Sequence, residues 1–87
     1  MKNKVLIKVI SPELEQSYDV FIPVNEIIWR INKLIVKSIS DLSNSNFDLS
    51  LDYILMNKET GRIYKNNEIV IDTDIRNASE LIIFSKR

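Results

Sequence analysis

Two carboxylates separated by one residue, Asp72 and Asp74, are the clearest candidates for a reactive or metal-binding group in the sequence. Paired carboxylates can share a cation or work together as an acid and a base. A calcium site, however, takes about six to eight oxygen ligands, and the sequence offers no ligand-rich loop around this pair. The other Asp and Glu residues have no recognisable spacing for acid–base catalysis. We therefore interpret Asp72 and Asp74 as a solvated turn, and predict no catalytic residue and no metal site.

Several residue types that carry much of enzyme chemistry are missing. The 87 residues include no His and no Cys, which excludes histidine acid–base catalysis, thiol nucleophiles, disulfides and the usual zinc sites. Gly61 is the only glycine, so the chain cannot form a glycine-rich phosphate-binding loop. We therefore expect a binding module without a cofactor rather than an enzyme.

The charge balance narrows the class of partner. Lys and Arg together number 12, as do Asp and Glu, and the formal net charge is zero. Because nucleic-acid-binding domains usually carry a basic excess, this balance favours a protein partner over a nucleic acid. The longest apolar run covers only residues 81–84, and no targeting segment is visible. We expect a cytoplasmic protein without direct membrane insertion.

The elements that must position any site fit a single domain spanning residues 1–87. β-branched, partly alternating segments predict strands at residues 4–10 and 18–22, joined as a hairpin. A polar segment rich in Ser, Asn and Asp, residues 41–50, predicts a loop. The sequence predicts three further strands at residues 51–56, 62–65 and 80–85.

A helical period follows the hairpin and is the strongest local signal. Asn25 is the predicted N-cap, and Glu26 lies in the first turn, where negative charge is favourable. The period continues to about Ile39. A wide aliphatic face of this kind predicts that the helix packs on a sheet. The face consists of Val24, Ile27, Ile28, Ile31, Leu34, Ile35 and Ile39.

The element order ββαβββ predicts an α+β fold: a mixed sheet of four to five strands with one long helix packed on one face. The passages "YDVFIPVNEIIWRINKLI" and "GRIYKNNEIVIDTDIRNASELIIF" resemble the ubiquitin-like β-grasp family over nearly the whole chain. In this resemblance Ile75 matches a buried isoleucine before the last strand, and Leu81 and Ile83 match its inward-facing pair. The family usually has Gly-Asp before that strand, where this chain has residues 77–80, Asn-Ala-Ser-Glu.

Within the family, the chain looks most like the small bacterial ubiquitin-like proteins of type VII secretion loci, the YukD type. The resemblance implies a non-enzymatic protein that binds other proteins through the sheet face away from the helix. A conjugated modifier needs a flexible tail ending in Gly-Gly, whereas this sequence ends in residues 84–87, Phe-Ser-Lys-Arg. We therefore expect non-covalent binding rather than conjugation.

Alternation along the strands places a candidate protein-binding patch on that outer face. If Leu81 and Ile83 face the helix, then Ile82 and Phe84 face outward. The same reasoning turns Ile10 outward, and it turns Leu55 outward if Ile54 and Met56 face the helix. The predicted patch is therefore Ile10, Leu55, Ile82 and Phe84. Two alternatives remain: the 41–50 loop covers the patch, or the register is off by one residue, which would exchange the faces.

Trp29 and Val36 form a second candidate binding site. They are seven residues apart, so both are predicted on the solvent side of the helix. Trp is enriched at binding hot spots, which favours an interaction role. The alternative is that Trp29 lies flat under a loop and that Val36 is an ordinary exposed aliphatic residue.

These features predict a non-covalent protein–protein interaction module, with an accessory role in a bacterial type VII secretion system as its most concrete form. Two alternatives differ in kind. One is a structural β-grasp protein whose apolar face is used in self-association, giving a homo-oligomer. The other, less favoured by the net charge, is a nucleic-acid-binding β-grasp domain.

Overall fold

Two segments at the start of the chain, Lys4–Ser11 (β1) and Gln16–Pro23 (β2), pair as an antiparallel hairpin. Inward residues of β1 and β2 alternate with exposed ones, which is the period of a half-buried strand. The computed structural model describes residues 3–44 and 51–86. The remaining elements are α1 (Ile28–Ser43), β3 (Tyr53–Asn57), a 3₁₀ turn (Val70–Asp72) and β4 (Glu80–Ser85).

The sheet is mixed and has the strand order β2-β1-β4-β3. β4 runs parallel to β1 and antiparallel to β3, and α1 packs against one face of the sheet. The prediction of an α+β β-grasp fold with one helix packed on a mixed sheet is confirmed.

The predicted fourth strand at residues 62–65 is only an isolated bridge. Ile63 bridges to Met56, the Asn57 N–H donates to the Arg62 carbonyl at 2.8 Å, and the Tyr64 N–H donates to the Leu55 carbonyl at 3.0 Å. Gly61, at φ 76°, makes the tight turn that brings this segment back along β3. The segment therefore lies along the outer edge of β3 without extending the ladder.

The start of α1 is held by backbone groups, and the predicted N-cap is wrong. The N–H groups of Ile28 and Trp29 donate to the carbonyls of Glu68 and Asn66 at 2.8 and 3.1 Å. The N-cap position is Ile27, which makes no side-chain capping bond. The first N–H groups of a helix lack partners within it, and here a distant segment supplies them in place of Asn25.

The far end of α1 lies beyond its predicted end near Ile39. The helix continues to Ser43, whose hydroxyl donates to the Ile39 carbonyl at 2.6 Å, and it ends at Asn44 in the left-handed conformation. Residues 41–43 are therefore helical rather than part of the predicted 41–50 loop. Residues 45–50 of that loop lie outside the described residues.

The buried face of α1 is rotated slightly from the predicted one. Leu34 is exposed, whereas Val36, on a neighbouring stripe of the helix, is buried. Asn32 lies on the same stripe, and its amide donates to the Tyr53 carbonyl at 3.0 Å. The buried helix residues are Ile28, Ile31, Asn32, Ile35, Val36 and Ile39.

The segment before β4 fixes how β4 meets β1. The Leu6 N–H donates to the Asn77 side-chain oxygen and the Ala78 N–H to the Leu6 carbonyl, both at 2.8 Å. Ala78 has φ 72°, a conformation that favours glycine. Ile75, Leu81 and Ile83 are buried, as the resemblance implied.

Candidate functional site

β3 presents the opposite faces from those predicted. Leu55 is completely buried and pairs with the buried Ile83 of β4, so its assignment to the outer patch is wrong. Ile54 and Met56 are half-buried on the outer face, opposite Phe84 and Ile82. Directly paired residues of two strands share a face, so the pairing with Ile83 fixes Leu55 inside.

An apolar surface covers the outer face across three strands and the segment beside β3. Ile10 pairs with Ile82, Ile82 pairs with Met56, and Met56 bridges to Ile63, so these four residues form one row. Ile54 and Phe84 form a second row. We define the outer patch as Ile10, Ile54, Met56, Ile63, Ile82 and Phe84.

The structure places Ile10, Ile82 and Phe84 on the outer face, as predicted. Ile63 is 55% exposed. The others are half-buried. Contact between paired side chains accounts for this partial burial, since the helix lies on the other face.

Charged side chains of both signs border the outer patch. In the strand register, Lys8 of β1 lies directly opposite Asp19 of β2 and Glu80 of β4. Lys58 places its ammonium nitrogen 3.0 Å from a Glu80 carboxylate oxygen. An apolar centre with a polar rim is the usual anatomy of a protein interface.

The second predicted site is divided between core and surface. Trp29 is 45% exposed, in agreement with its predicted position, but Val36 is only 2% exposed and belongs to the core. The two share a helix stripe, yet Val36 lies two turns further along and is buried. The Lys33 ammonium lies 5.8 Å from the Trp29 ring centre, a cation–π distance. The structure therefore leaves Trp29 as a candidate without Val36.

A hydrogen-bonded cluster holds the segment that carries Ile63 against β3. The Tyr64 hydroxyl donates to Asp74 at 2.6 Å and accepts from the Asn57 amide at 3.2 Å. Burial, reinforced by the Asp74 carboxylate, raises the pKa of Tyr64 to about 12. Tyr64 is therefore protonated near neutral pH, and its hydroxyl links Asp74 to Asn57 of β3.

Arg62 and Glu68 complete this cluster. The Arg62 guanidinium lies 2.7 Å from Glu68 and 3.6 Å from Asp74. The Lys65 N–H donates to Glu68 at 2.7 Å, and this bond, with Arg62, lowers the pKa of that carboxylate. Asp74 is thus a hydrogen-bond acceptor and ion-pair partner rather than a purely solvated residue. Across residues 3–44 and 51–86, no group of three or more acidic residues could hold a metal ion.

Sequence reasoning missed Ile54, Met56 and Ile63 as members of the outer patch. β3 contains four apolar residues in succession, 53–56, so alternation does not distinguish its faces. The signal that could have identified the faces of β3 lies in its neighbour β4. The burial of Leu81 and Ile83 there was inferred correctly. Ile63 could not be found this way because it lies outside any regular strand.

No protein-family model and no curated protein matches the chain. Within the ranges that the structure describes, no helix has the length and apolar character needed to cross a membrane.

Solved structures, by contrast, resemble the chain over nearly its whole length. They include several ubiquitin-like domains. One is the ubiquitin-like domain of Plasmodium falciparum Dsk2, with a TM-score of 0.72 and 10% identity over 95% of this chain and 99% of that one. A chain of the toluene 4-monooxygenase HD complex has a TM-score of 0.77 and 2% identity, covering 95% and 99%.

A chain of the ESX-5 inner membrane complex has a TM-score of 0.70 and 13% identity. The match covers 97% of this chain but only 21% of that one. Identities this low show a common fold and leave function open. The chain therefore has the ubiquitin-like β-grasp fold.

Proposed function

We propose that this protein is a non-enzymatic interaction module that binds another protein non-covalently through the outer patch. The observation that carries the proposal is the continuity of the patch. Its row from Ile10 through Ile82 and Met56 to Ile63 crosses three of the four strands and the segment beside β3 without a polar interruption. Contiguous apolar surface with a polar rim is characteristic of interaction sites on soluble proteins.

The chemistry of the patch favours a protein partner. Aliphatic side chains with Met56 and Phe84 offer apolar contact area, and Met adapts to different partner shapes because its side chain is unbranched and flexible. The charged rim of Lys8, Lys58 and Glu80 can fix the orientation of the partner. This mixture of charges does not form the basic surface that a nucleic acid needs.

The finer proposal is a cytoplasmic accessory role in a bacterial type VII secretion system. It is supported by the resemblance to the YukD-type proteins and by the likeness to a chain of the ESX-5 inner membrane complex. The partner would then be a secretion-system protein with an apolar surface that complements the outer patch.

In the experiment, the tagged protein captures partners from host lysate. The wild type is compared with two variants that carry the same kind of substitution at different places. Ile63→Asp places a charge in the outer patch, and Ile71→Asp places one outside it. Ile63 and Ile71 are 55% and 56% exposed, so neither change should unfold the protein.

We expect wild type and Ile71→Asp to retain the same protein and Ile63→Asp to lose it. Retention by both variants, or loss by both, would contradict binding through the outer patch. Identifying the retained protein by mass spectrometry then tests the secretion assignment separately. A partner without a role in secretion would contradict the finer proposal and leave the interaction module in place.

A further inference from the structure

The two edges of the sheet differ in whether their backbone groups are paired. At the β3 edge, residues 62–64 hydrogen-bond to Leu55 and Asn57, and the Asn32 side chain donates to Tyr53. At the opposite edge, β2 pairs only with β1. Among residues 3–44 and 51–86, β2 is thus an eight-residue edge strand with one unpaired side.

The hydrogen bonds of β1 identify which groups of β2 are free. The N–H groups of Leu6 and Lys8 point toward the β4 side, to Asn77 and Ser79. The alternate residues of β1 must therefore make the bonds to β2. It follows that the N–H and C=O groups of Ser17, Asp19 and Phe21 point outward, and none has a partner in the described part of the chain.

β2 lacks most of the usual protections of an exposed strand edge. Such edges are normally interrupted by charged side chains (especially Lys), by Pro or by a β-bulge, or are covered by another element. Asp19 is the one charged residue of β2. β2 contains no Lys, pairs with β1 over eight consecutive residues without a bulge, and has its only proline at its last position, Pro23. Phe21 is 56% exposed beside the free edge.

We propose that this edge pairs antiparallel with β2 of a second copy of the chain, joining two four-stranded sheets into one. The strand is self-complementary when Val20 lies on the two-fold axis. In that register Asp19 and Phe21 exchange both backbone bonds with Phe21 and Asp19 of the second copy. The Ser17 N–H then donates to the opposite carbonyl of Pro23, the one outward residue without an N–H.

Charge favours this register over the one centred on Asp19. Centring the pairing on Asp19 would place two carboxylates directly opposite each other, which is destabilising in a sheet. Centring it on Val20 places each Asp19 beside an exposed Phe21. Because the two-fold axis is perpendicular to the sheet, both helices would lie on one face and both outer patches would remain uncovered on the other.

The first test is sedimentation analysis of wild type, Phe21→Lys and Phe21→Glu. Both substitutions remove the same aromatic ring, but lysine would oppose Asp19 of the second copy with the complementary charge and glutamate with the same charge. We expect a concentration-dependent wild-type dimer, with dissociation constants of the two variants about tenfold apart and tighter for lysine. A wild type that stays monomeric at high concentration, or equal constants, would overturn the proposal.

The second test uses the absence of native cysteine. In the proposed register Asp19 and Phe21 of opposite copies have Cα atoms about 5.5 Å apart, within disulfide range, whereas the two Asp19 residues are out of range. Mixing Asp19→Cys with Phe21→Cys under mild oxidation should give mainly the mixed disulfide, detected by mass. A predominance of the Asp19→Cys homodimer would overturn the register.

Discussion

The two faces of the sheet are built from the same kinds of side chain but differ in what lies against them. On the inner face, Leu55 and Ile83 are buried under α1. On the outer face, Ile54 and Phe84 pair in the same way but remain half-buried, because no described element covers them. The comparison shows that hydrophobicity alone does not distinguish a core residue from an outer-face residue in this chain, whereas the position of the helix does.

Leu55→Ala should have the largest effect and gives the direct test of this comparison. Removing a completely buried leucine side chain costs about 2–5 kcal/mol of unfolding free energy, since a cavity remains. Ile54→Ala, at the neighbouring half-buried position, should cost less because solvent already contacts the side chain. Chemical denaturation of both variants measures the difference, and equal losses would mean that the two faces are not distinct.

Tyr64→Phe tests whether the hydrogen bonds of Tyr64 to Asp74 and Asn57 hold the segment with Ile63 against β3. That segment extends the outer face beyond β3. The change leaves Asp74 and Asn57 without their shared partner and should cost about 1–3 kcal/mol. The loss should appear in denaturation and in faster amide exchange at Tyr64, whose N–H bonds to β3. Unchanged exchange would show that the segment is held without the cluster.

Alkaline titration tests the same hydrogen bonds through the ionisation of the Tyr64 hydroxyl. The folded-state pKa of Tyr64 is about 12, above the ordinary value of 10.0, so the folded protein keeps its proton longer than the unfolded chain. This contribution to stability is complete below pH 10 and is lost as the pH rises toward 12. Wild type should therefore lose more unfolding free energy than Tyr64→Phe in that window. Parallel pH profiles would contradict the raised pKa.

Ala78→Gly should have the smallest effect and the opposite sign. Ala78 adopts φ 72° where the chain turns into β4, and this turn helps to fix the register that both faces share. Glycine relieves the steric cost of that conformation but makes the unfolded chain more flexible, so we expect a gain of about 0.5–1 kcal/mol. Thermal denaturation should show a raised Tm. A lowered Tm would mean that Ala78 is not strained.

The hairpin, the helix and β4 were predictable because each carries its own periodic pattern. Strict alternation in β2 places Phe21 outward and Ile22 inward, and the structure has both there. β3 carries no such pattern, and the inferred faces were wrong. The helix boundaries also differed, since Glu68 and Asn66, far along the chain, supply the carbonyls at its start.

The fold class, the order of the main elements and most of the core follow from the amino-acid sequence, because apolar periodicity is a local property of each segment. Composition also excludes cysteine and histidine chemistry. The three-dimensional arrangement was needed to show that Leu55 and Val36 are core, that Ile63 joins the outer patch, and that no described residue pairs with the outer edge of β2. These depend on pairing register and on which element covers which face, and both are set by contacts between segments distant in the chain.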